Sequence, residues 1–350
     1  MFCVACSMRL CYSDKMKKVI LGKTKIETLN VGLGGIPLQR LNLEEAKQVV
    51  VYCLDKGVNY FDSARAYTVS EKLMGGAIKG RRNEVILASK APAFTADDLF
   101  KFVEISLHEF GAECIDIYQV HNVPSKERID AVFGFGGSYE GFLKLKEQSK
   151  LKHFGLTAHK REVLDYALDK YGDKIETIMF PYNIVENQGE QLFRKAKKLN
   201  IATIAMKPLA GGNVENAALA MRYCLDNDFI DIAIPGIGSV EEAKQDLNVK
   251  VGALTESEKQ ECEKIVKELG NDFCRRCSYC APCAVGIDIA GVFTMANYVK
   301  KYDLKEWAKS RYDGFAKHAE DCVDCGICEQ RCPYGLRIRE KLRQAGKDLG

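Results

Sequence analysis

Eight of the chain's 15 cysteines stand in two short runs near the C-terminus. The first is Cys274-x2-Cys277-x2-Cys280-x2-Cys283; the second is Cys322-x2-Cys325-x2-Cys328-x3-Cys332, followed directly by Pro333. Thiolates at such gaps are ligands for a soft metal. Three of them two residues apart wrap the corner of an iron–sulfur cube better than they complete a zinc tetrahedron, whose sites prefer separated pairs of cysteines. The runs therefore predict a segment organised around inorganic groups. Two structural zinc sites of four thiolates each are the competing reading.

The second run resembles the bacterial ferredoxin pattern, in which three cysteines bind one [4Fe–4S] cluster and the fourth, before proline, binds the other. The resemblance implies two clusters with crossed ligation. Cys274, Cys277, Cys280 and Cys332 would hold one, and Cys322, Cys325, Cys328 and Cys283 the other. The first run departs from the pattern in its two-residue final gap and in Ala284, which stands where proline is usual.

The chain's 350 residues exceed one average domain and can bury a large core. A net charge of +3 gives no reason to expect a nucleic-acid or membrane surface. No apolar run has the length to span a bilayer. Residues 1–15 lack the basic start and apolar core of a secretory leader. The seven scattered cysteines, Cys3, Cys6, Cys11, Cys53, Cys114, Cys224 and Cys262, read as reduced thiols beside oxygen-sensitive clusters, so a cytoplasmic location is expected. Cys3, Cys6 and Cys11 are candidate metal ligands by type, but the expectation for 1–15 is a loose extension.

From residue 16 to about 269 the sequence alternates short β-branched runs with amphipathic segments. Strands are expected over 29–33, 58–62, 85–89, 115–121, 153–157, 177–180, 202–206 and 232–235. Helices are expected over 43–56, 95–110, 160–170, 190–199 and 216–227, among others. Eight strand–helix units in about 250 residues predict an α/β fold, a (β/α)8 barrel, over 16–269. A doubly wound sheet would also alternate, but Gly32, Gly34 and Gly35 do not make its Gly-x-Gly-x-x-Gly turn. Residues 18–28 read as a hairpin around Gly22 that plugs the barrel bottom. Residues 270–350 form the cysteine module. Apolar residues at helical spacing between its runs predict a mainly helical ferredoxin-like domain.

Barrel chemistry gathers at C-terminal strand ends, and four polar residues fall there: Asp62, Tyr67 in the following loop, Lys90 and His121. Singly, each has a structural reading as a turn cap, a packed ring, a solvated lysine or a satisfied core histidine. Jointly they are hard to dismiss. The segment Tyr60-Phe61-Asp62-Ser63-Ala64-Arg65-Ala66-Tyr67, continuing to Ser70-Glu71, resembles the FDTAxxYGxSE signature of the aldo-keto reductases. Ala88-Ser89-Lys90 and Tyr118-Gln119-Val120-His121 are similar to the strands that carry that family's lysine and histidine. The likeness covers about residues 18 to 255 and implies a catalytic tetrad of Asp62, Tyr67, Lys90 and His121. The cysteine module resembles a subgroup of that superfamily fused to ferredoxin-like domains. A free phenol titrates near ~10, and a nearby ammonium lowers that value. Lys90, held by Asp62, would thus make Tyr67 a proton donor, with His121 orienting the carbonyl.

The resemblance also implies nicotinamide-nucleotide contacts, NADH or NADPH, at Gly34, Thr157, Lys207, Leu209, Gly236 and Ser239. Several usual contacts are replaced. Thr157-Ala158-His159 stands for a Ser-Asn pair, Met179 for a glutamine and Met206 for the aromatic that stacks on nicotinamide. The loop Pro235-Gly236-Ile237-Gly238-Ser239 resembles the family's phosphate loop, and after it Glu241, Glu242 and Asp246 stand where the family often has an arginine. That pattern predicts repulsion of a 2′-phosphate, so NADH should bind at least as well as NADPH.

The leading expectation is an iron–sulfur oxidoreductase of aldo-keto reductase type. It acts on a small carbonyl or alcohol, exchanges electrons with the clusters, and has a redox protein as partner. The alternatives are an NAD(P)H-dependent carbonyl reductase with structural clusters, or a non-catalytic electron carrier. The loop 122–137 and the cysteine module are the expected lids. The sequence carries no signal that names the substrate.

Overall fold

The computed structural model describes residues 16–249, 252–269, 272–276, 279–332 and 334–350. Cys3, Cys6, Cys11, Cys277 and Pro333 lie outside them, as does the extension expected over 1–15. The chain forms two compact units. One runs through Leu209 and resumes over Asn216–Thr255; the other comprises Ala210–Glu215 and Glu256–Gly350. The division falls before the helix Glu256–Leu269, whereas the sequence analysis places that helix with the barrel.

The first unit opens with a hairpin, β1 (Lys18–Ile20) against β2 (Glu27–Leu29). Eight parallel strands follow in chain order: β3 (Leu33–Gly34), β4 (Tyr60–Asp62), β5 (Ile86–Ala91), β6 (Ile115–Val120), β7 (Leu151–Thr157), β8 (Thr177–Pro181), β9 (Ala202–Met206) and β10 (Ile232–Ile234). Gly32 N donates to Ala233 O at 3.0 Å and Gly34 N to Pro235 O at 2.8 Å, which brings β3 to β10 and closes the ring. The result is a (β/α)8 barrel.

Between the strands lie α1 (Leu43–Asp55), α2 (Ser70–Ala77), α3 (Ala96–Phe110), α4 (Lys126–Phe133), α5 (Ser138–Glu147), α6 (Arg161–Tyr171), α7 (Glu190–Lys198) and α8 (Ala217–Leu225), and α9 (Val240–Asp246) follows β10. Their starts follow from local chemistry. Asn42 and Glu45 cap the first turn of α1 reciprocally, and the side chains of Thr95, Asn216 and Ser239 cap α3, α8 and α9. In α1, Ala46, Val49, Val50 and Cys53 make the buried stripe at helical spacing.

Tyr60, Ala88, Ile117, Met179, Ile204 and Ile232 form one buried cluster together with Leu21 from the hairpin loop. The loop is held there by backbone: Lys23 N donates to Asn200 O at 2.8 Å, and a Cβ on Gly22 would meet that oxygen at 2.4 Å. Only glycine fits so close an approach.

Three expectations differ in detail. The first barrel strand begins at Leu33, because Leu29 is spent in the hairpin. Lys90 lies within β5, which continues to Ala91. The expected lid at 122–137 contains α4, whose Phe133 stacks on Tyr171 at 4.3 Å and meets Phe154 edge-on.

The second unit consists of α10 (Glu256–Leu269), α11 (Ile289–Tyr302), α12 (Lys305–Asp313), the short α13 (Ile327–Arg331) and α14 (Ile338–Leu349). Its core joins Val292 and Ala296 of α11, Ala308 and Tyr312 of α12, and Leu342, Ala345 and Leu349 of α14. Tyr298 packs edge-on against Trp307 at 5.0 Å. Among the described residues no helix is long and apolar enough to cross a membrane.

Candidate active site and cysteine cavities

The four expected catalytic residues come from consecutive strands, and the structure brings them together. Lys90 Nζ donates to Asp62 Oδ2 and, at 2.8 Å, to Ser63 O. Both ionic side chains are buried, with Asp62 and Lys90 each 2% exposed. The ammonium lies 5.1 Å from the centre of the Tyr67 ring, and the His121 ring stands edge-on to Tyr67 at 6.0 Å. Burial pushes the Asp62 carboxyl up, while the charge and hydrogen bond of Lys90 pull it back. Burial and then the Asp62 charge push the Tyr60 phenol well above its ordinary value.

The loop carrying Tyr67 is laced to β5 through backbone. Ser63 N donates to Ala88 O at 2.9 Å and Arg65 N to Lys90 O at 3.0 Å. Behind it lies a buried carboxylate to which the sequence analysis gave no role. Glu71 accepts from Arg65, from Ser89 Oγ at 2.5 Å and from Ser106 Oγ at 2.9 Å. It thus ties the Tyr67 loop, the Lys90 strand and α3 to one side chain. Ser-Glu in the segment after Tyr67 was the available signal, but nothing local names its partners.

The expected nucleotide contacts are dispersed in role. Thr157 is buried, and its Oγ1 accepts from Asn122 N at 2.7 Å, so it pins the loop after β6. Gly34 is where β3 meets Pro235, and a Cβ there would lie 2.7 Å from Pro235 O. Gly236 bridges to Gly34, and Leu209 packs on the barrel's main core. Ser239 Oγ accepts from Glu242 N at 3.0 Å as the cap of α9. Met179 belongs to the barrel's interior apolar cluster. Lys207, after β9, donates to His159 Nε2 at 3.3 Å.

The carboxylates after the phosphate loop do not act as a group. Glu241 is exposed and pairs with Lys244. Asp246 is buried; burial and then the Glu242 charge push its carboxyl up to about 7. Glu242 alone turns to the loop, where it accepts from Gly238 N at 2.6 Å and from Arg40 Nη2 at 2.7 Å. Arg40 lies 202 residues away in sequence and carried no motif.

In the second unit two cavities gather the cysteines. One is lined by Cys283, Cys322, Cys325 and Cys328, with Val285, Ile289 and Leu342 as apolar walls. The other is lined by Cys274, Cys280 and Cys332, with Ile289, Phe293 and Leu336. Each cavity therefore takes thiols from both runs. Arg276 and Asp324, each just before the second cysteine of its run, both adopt left-handed backbone. Several thiols from both runs around one apolar-walled space suit a cube of iron and sulfide. Among the described residues none converge as a group on a single ion.

Comparison with known proteins agrees with both halves. Residues 28–218 match the model of the aldo/keto reductase family, and residues 273–337 match that of a 4Fe-4S dicluster domain. L-galactose dehydrogenase of Arabidopsis thaliana is 23% identical over 293 residues, covering 70% of this chain and 90% of its own. An uncharacterized oxidoreductase of Bacillus subtilis, YqkF, is 23% identical over 248 residues, covering 66% and 78%. The aldo-keto reductase yakc [NADP(+)] of Schizosaccharomyces pombe is 24% identical over 209 residues, covering 53% and 60%. In fold, the chain superposes on aldo-keto reductase AKR11C1 of Bacillus halodurans (holo form) with a TM-score of 0.62 at 23% identity, over 71% of this chain and 96% of that one. The chain belongs to the aldo/keto reductase family and carries a C-terminal 4Fe-4S dicluster domain, which implies two clusters.

Proposed function

We propose that this oxidoreductase interconverts a small carbonyl and its alcohol with Tyr67 as general acid and base, and exchanges electrons with its two [4Fe–4S] clusters. The observation that carries the reading is the buried Lys90–Asp62 pair set against the Tyr67 ring. An ammonium beside a phenol favours the phenolate, so the phenol gives up its proton more readily. In the reducing direction a bound nicotinamide nucleotide would supply the hydride, its own C–H bond breaking as one forms at the carbonyl carbon, and the C=O π electrons would move to oxygen, which takes the proton of Tyr67 Oη. His121 donates a hydrogen bond to the same oxygen. Asp62 holds the ammonium in place, and Glu71 holds the loop that presents Tyr67.

The clusters would be held by Cys274, Cys277, Cys280 and Cys332, and by Cys322, Cys325, Cys328 and Cys283. When bound they supply single electrons, and a nicotinamide nucleotide supplies hydride. Of the two nucleotides, the residues at the phosphate loop fit NADH better. The Glu242 carboxylate already holds Gly238 N and Arg40, and a 2′-phosphate would have to displace it. A second reading, with the clusters as structural staples, draws on one feature of the cysteine unit: Cys328 is buried in its core, and five further cysteines pack against that core.

The test is anaerobic titration of the purified protein with NADH and NADPH, followed by a test aldehyde, while cluster absorbance is recorded. Bleaching by nucleotide or by alcohol supports electron exchange. Aldehyde-dependent nucleotide oxidation with unaltered cluster absorbance overturns it in favour of structural clusters. Absence of both overturns the oxidoreductase assignment of Tyr67.

A further inference from the structure

The two cavities of the cysteine unit differ in the charge built into their walls. Ile289 lines both, so they are neighbours. In matching places, between the first and second cysteine of each run, stand Arg275-Arg276 in one and Val323-Asp324 in the other. Arg275 lines the cavity of Cys274, Cys280 and Cys332, and among the described residues that line it none is a carboxylate. The residue is 8% exposed, and its guanidinium lies 3.8 Å from the centre of the Tyr334 ring, which lines the same cavity. A guanidinium keeps its charge at every pH a protein meets, and an aromatic face holds it without removing that charge.

Charge beside the other cavity cancels in pairs. Arg339 lines that cavity with its side chain 34% exposed. Its Nη2 donates to Glu329 Oε2 at 2.7 Å. Asp324, within the same run, accepts from Arg343 Nη1 at 3.1 Å. These pairs stand within reach of water, whereas a buried charge is screened far less. The reduction potential of an iron–sulfur cluster responds to the net charge around it. A positive charge alongside stabilises an added electron.

We propose that Arg275 gives the cluster in the cavity of Cys274, Cys280 and Cys332 the higher potential of the two, so that a single electron entering the pair comes to rest there. The inference rests on the reading that these thiols hold two [4Fe–4S] clusters. One electron passes, lost on one side of Ile289 and gained on the other, and no bond forms or breaks. Arg275 acts through its charge and takes no part in the barrel's chemistry.

The test is anaerobic potentiometry of full-length holoprotein, with redox mediators supplying the electrons and each cluster followed by electron paramagnetic resonance. Iron and sulfide are measured first. The wild type should show two potentials separated by roughly tenfold or more in the equilibrium between oxidised and reduced cluster, or 59 mV for one electron. Arg275→Gln should lower the higher potential by about that much and leave the lower one in place, and Arg275→Lys should keep most of the separation. Where Arg275→Gln loses a cluster, Glu329→Gln takes its place: it leaves Arg339 less compensated and should raise the lower potential alone. Equal potentials in the wild type, unmoved potentials in Arg275→Gln, or a shift there of the lower potential overturn the proposal. So does a Glu329→Gln protein in which the higher potential moves or neither does. Zinc, or fewer than two clusters per chain, overturns the cluster reading and the proposal with it; two clusters with unmoved potentials overturn the proposal alone.

Discussion

The two units place their candidate functional side chains in opposite ways. In the barrel, the core is complete without the tetrad. Leucine, valine, isoleucine and phenylalanine from all eight strands and the surrounding helices fill it, and Asp62, Lys90 and Tyr67 stand at its rim. In the cysteine unit, the cysteines are part of the wall. Cys328 belongs to the core, and Cys274, Cys280, Cys283, Cys322 and Cys332 pack against it. A large domain has surplus burial and can afford a buried ion pair. A small one buries a lower fraction of its surface and draws on metal ligation for its stability.

The largest effect expected from this contrast comes from removing the metal. Anaerobic protein should contain about eight iron and eight acid-labile sulfide per chain. Chelation should then abolish the helical circular dichroism of α11–α14 while the barrel's own melting transition survives. Zinc in place of iron, or undiminished helix after chelation, breaks the comparison on the side of the cysteine unit.

The next effect should fall on chemistry without touching metal content. Tyr67→Phe is expected to lower kcat for carbonyl reduction by roughly 10²–10⁴-fold. Lys90→Met should cost about as much and the double variant little more, because a proton donor and its organiser act as one unit. Steady-state kinetics beside iron analysis tests both halves of the claim. Wild-type-like turnover in Tyr67→Phe would leave the tetrad as scaffold.

A smaller effect sharpens the barrel's side. Asp246 is held at about 7 when folded, above its ordinary unfolded value near 4. Between those pH values the folded chain keeps a proton that the unfolded chain has released. The contribution is therefore fully present below pH ~4 and is lost as pH rises to about 7, a difference of roughly 4 kcal/mol at most. Asp246→Asn should stabilise the barrel transition at pH 8 and flatten its fall between pH 5 and 8 in urea melts. An unchanged pH slope would show that the buried carboxylate finds compensation on folding.

The smallest effect concerns the nucleotide. Glu242→Gln keeps the shape at the loop but removes the charge that Arg40 and Gly238 N now hold. NADPH affinity should rise relative to NADH by about tenfold, or 1.4 kcal/mol. Equal ratios in variant and wild type would place the 2′-phosphate away from Arg40.

Local pattern made much of this legible. The alternation of apolar runs was enough for the barrel, and strand-end position, read with the aldo-keto reductase likeness, singled out Asp62, Tyr67, Lys90 and His121, which lie together at its mouth. The cysteine spacing, read with the ferredoxin likeness, anticipated that thiols from both runs share each cavity. Strand ends were less legible. Leu29 is as apolar and β-compatible in the hairpin as it would be in the barrel, so pattern alone misplaced the first strand.

The sequence by itself thus determined what depends on neighbours within a turn or a strand: caps, periodicity, ligand spacing and the polar residues at strand ends. Tertiary structure alone decided which charges neutralise one another. Three carboxylates after the phosphate loop look equivalent in the chain. Once folded, one faces water beside Lys244, one is buried and raised towards neutrality, and one is taken by an arginine 202 residues away. Glu71 and the pair Lys207–His159 have the same character, since their partners come from other strands and helices. The physical reason is that charge interactions act through space and burial, and both are set only when the ring closes.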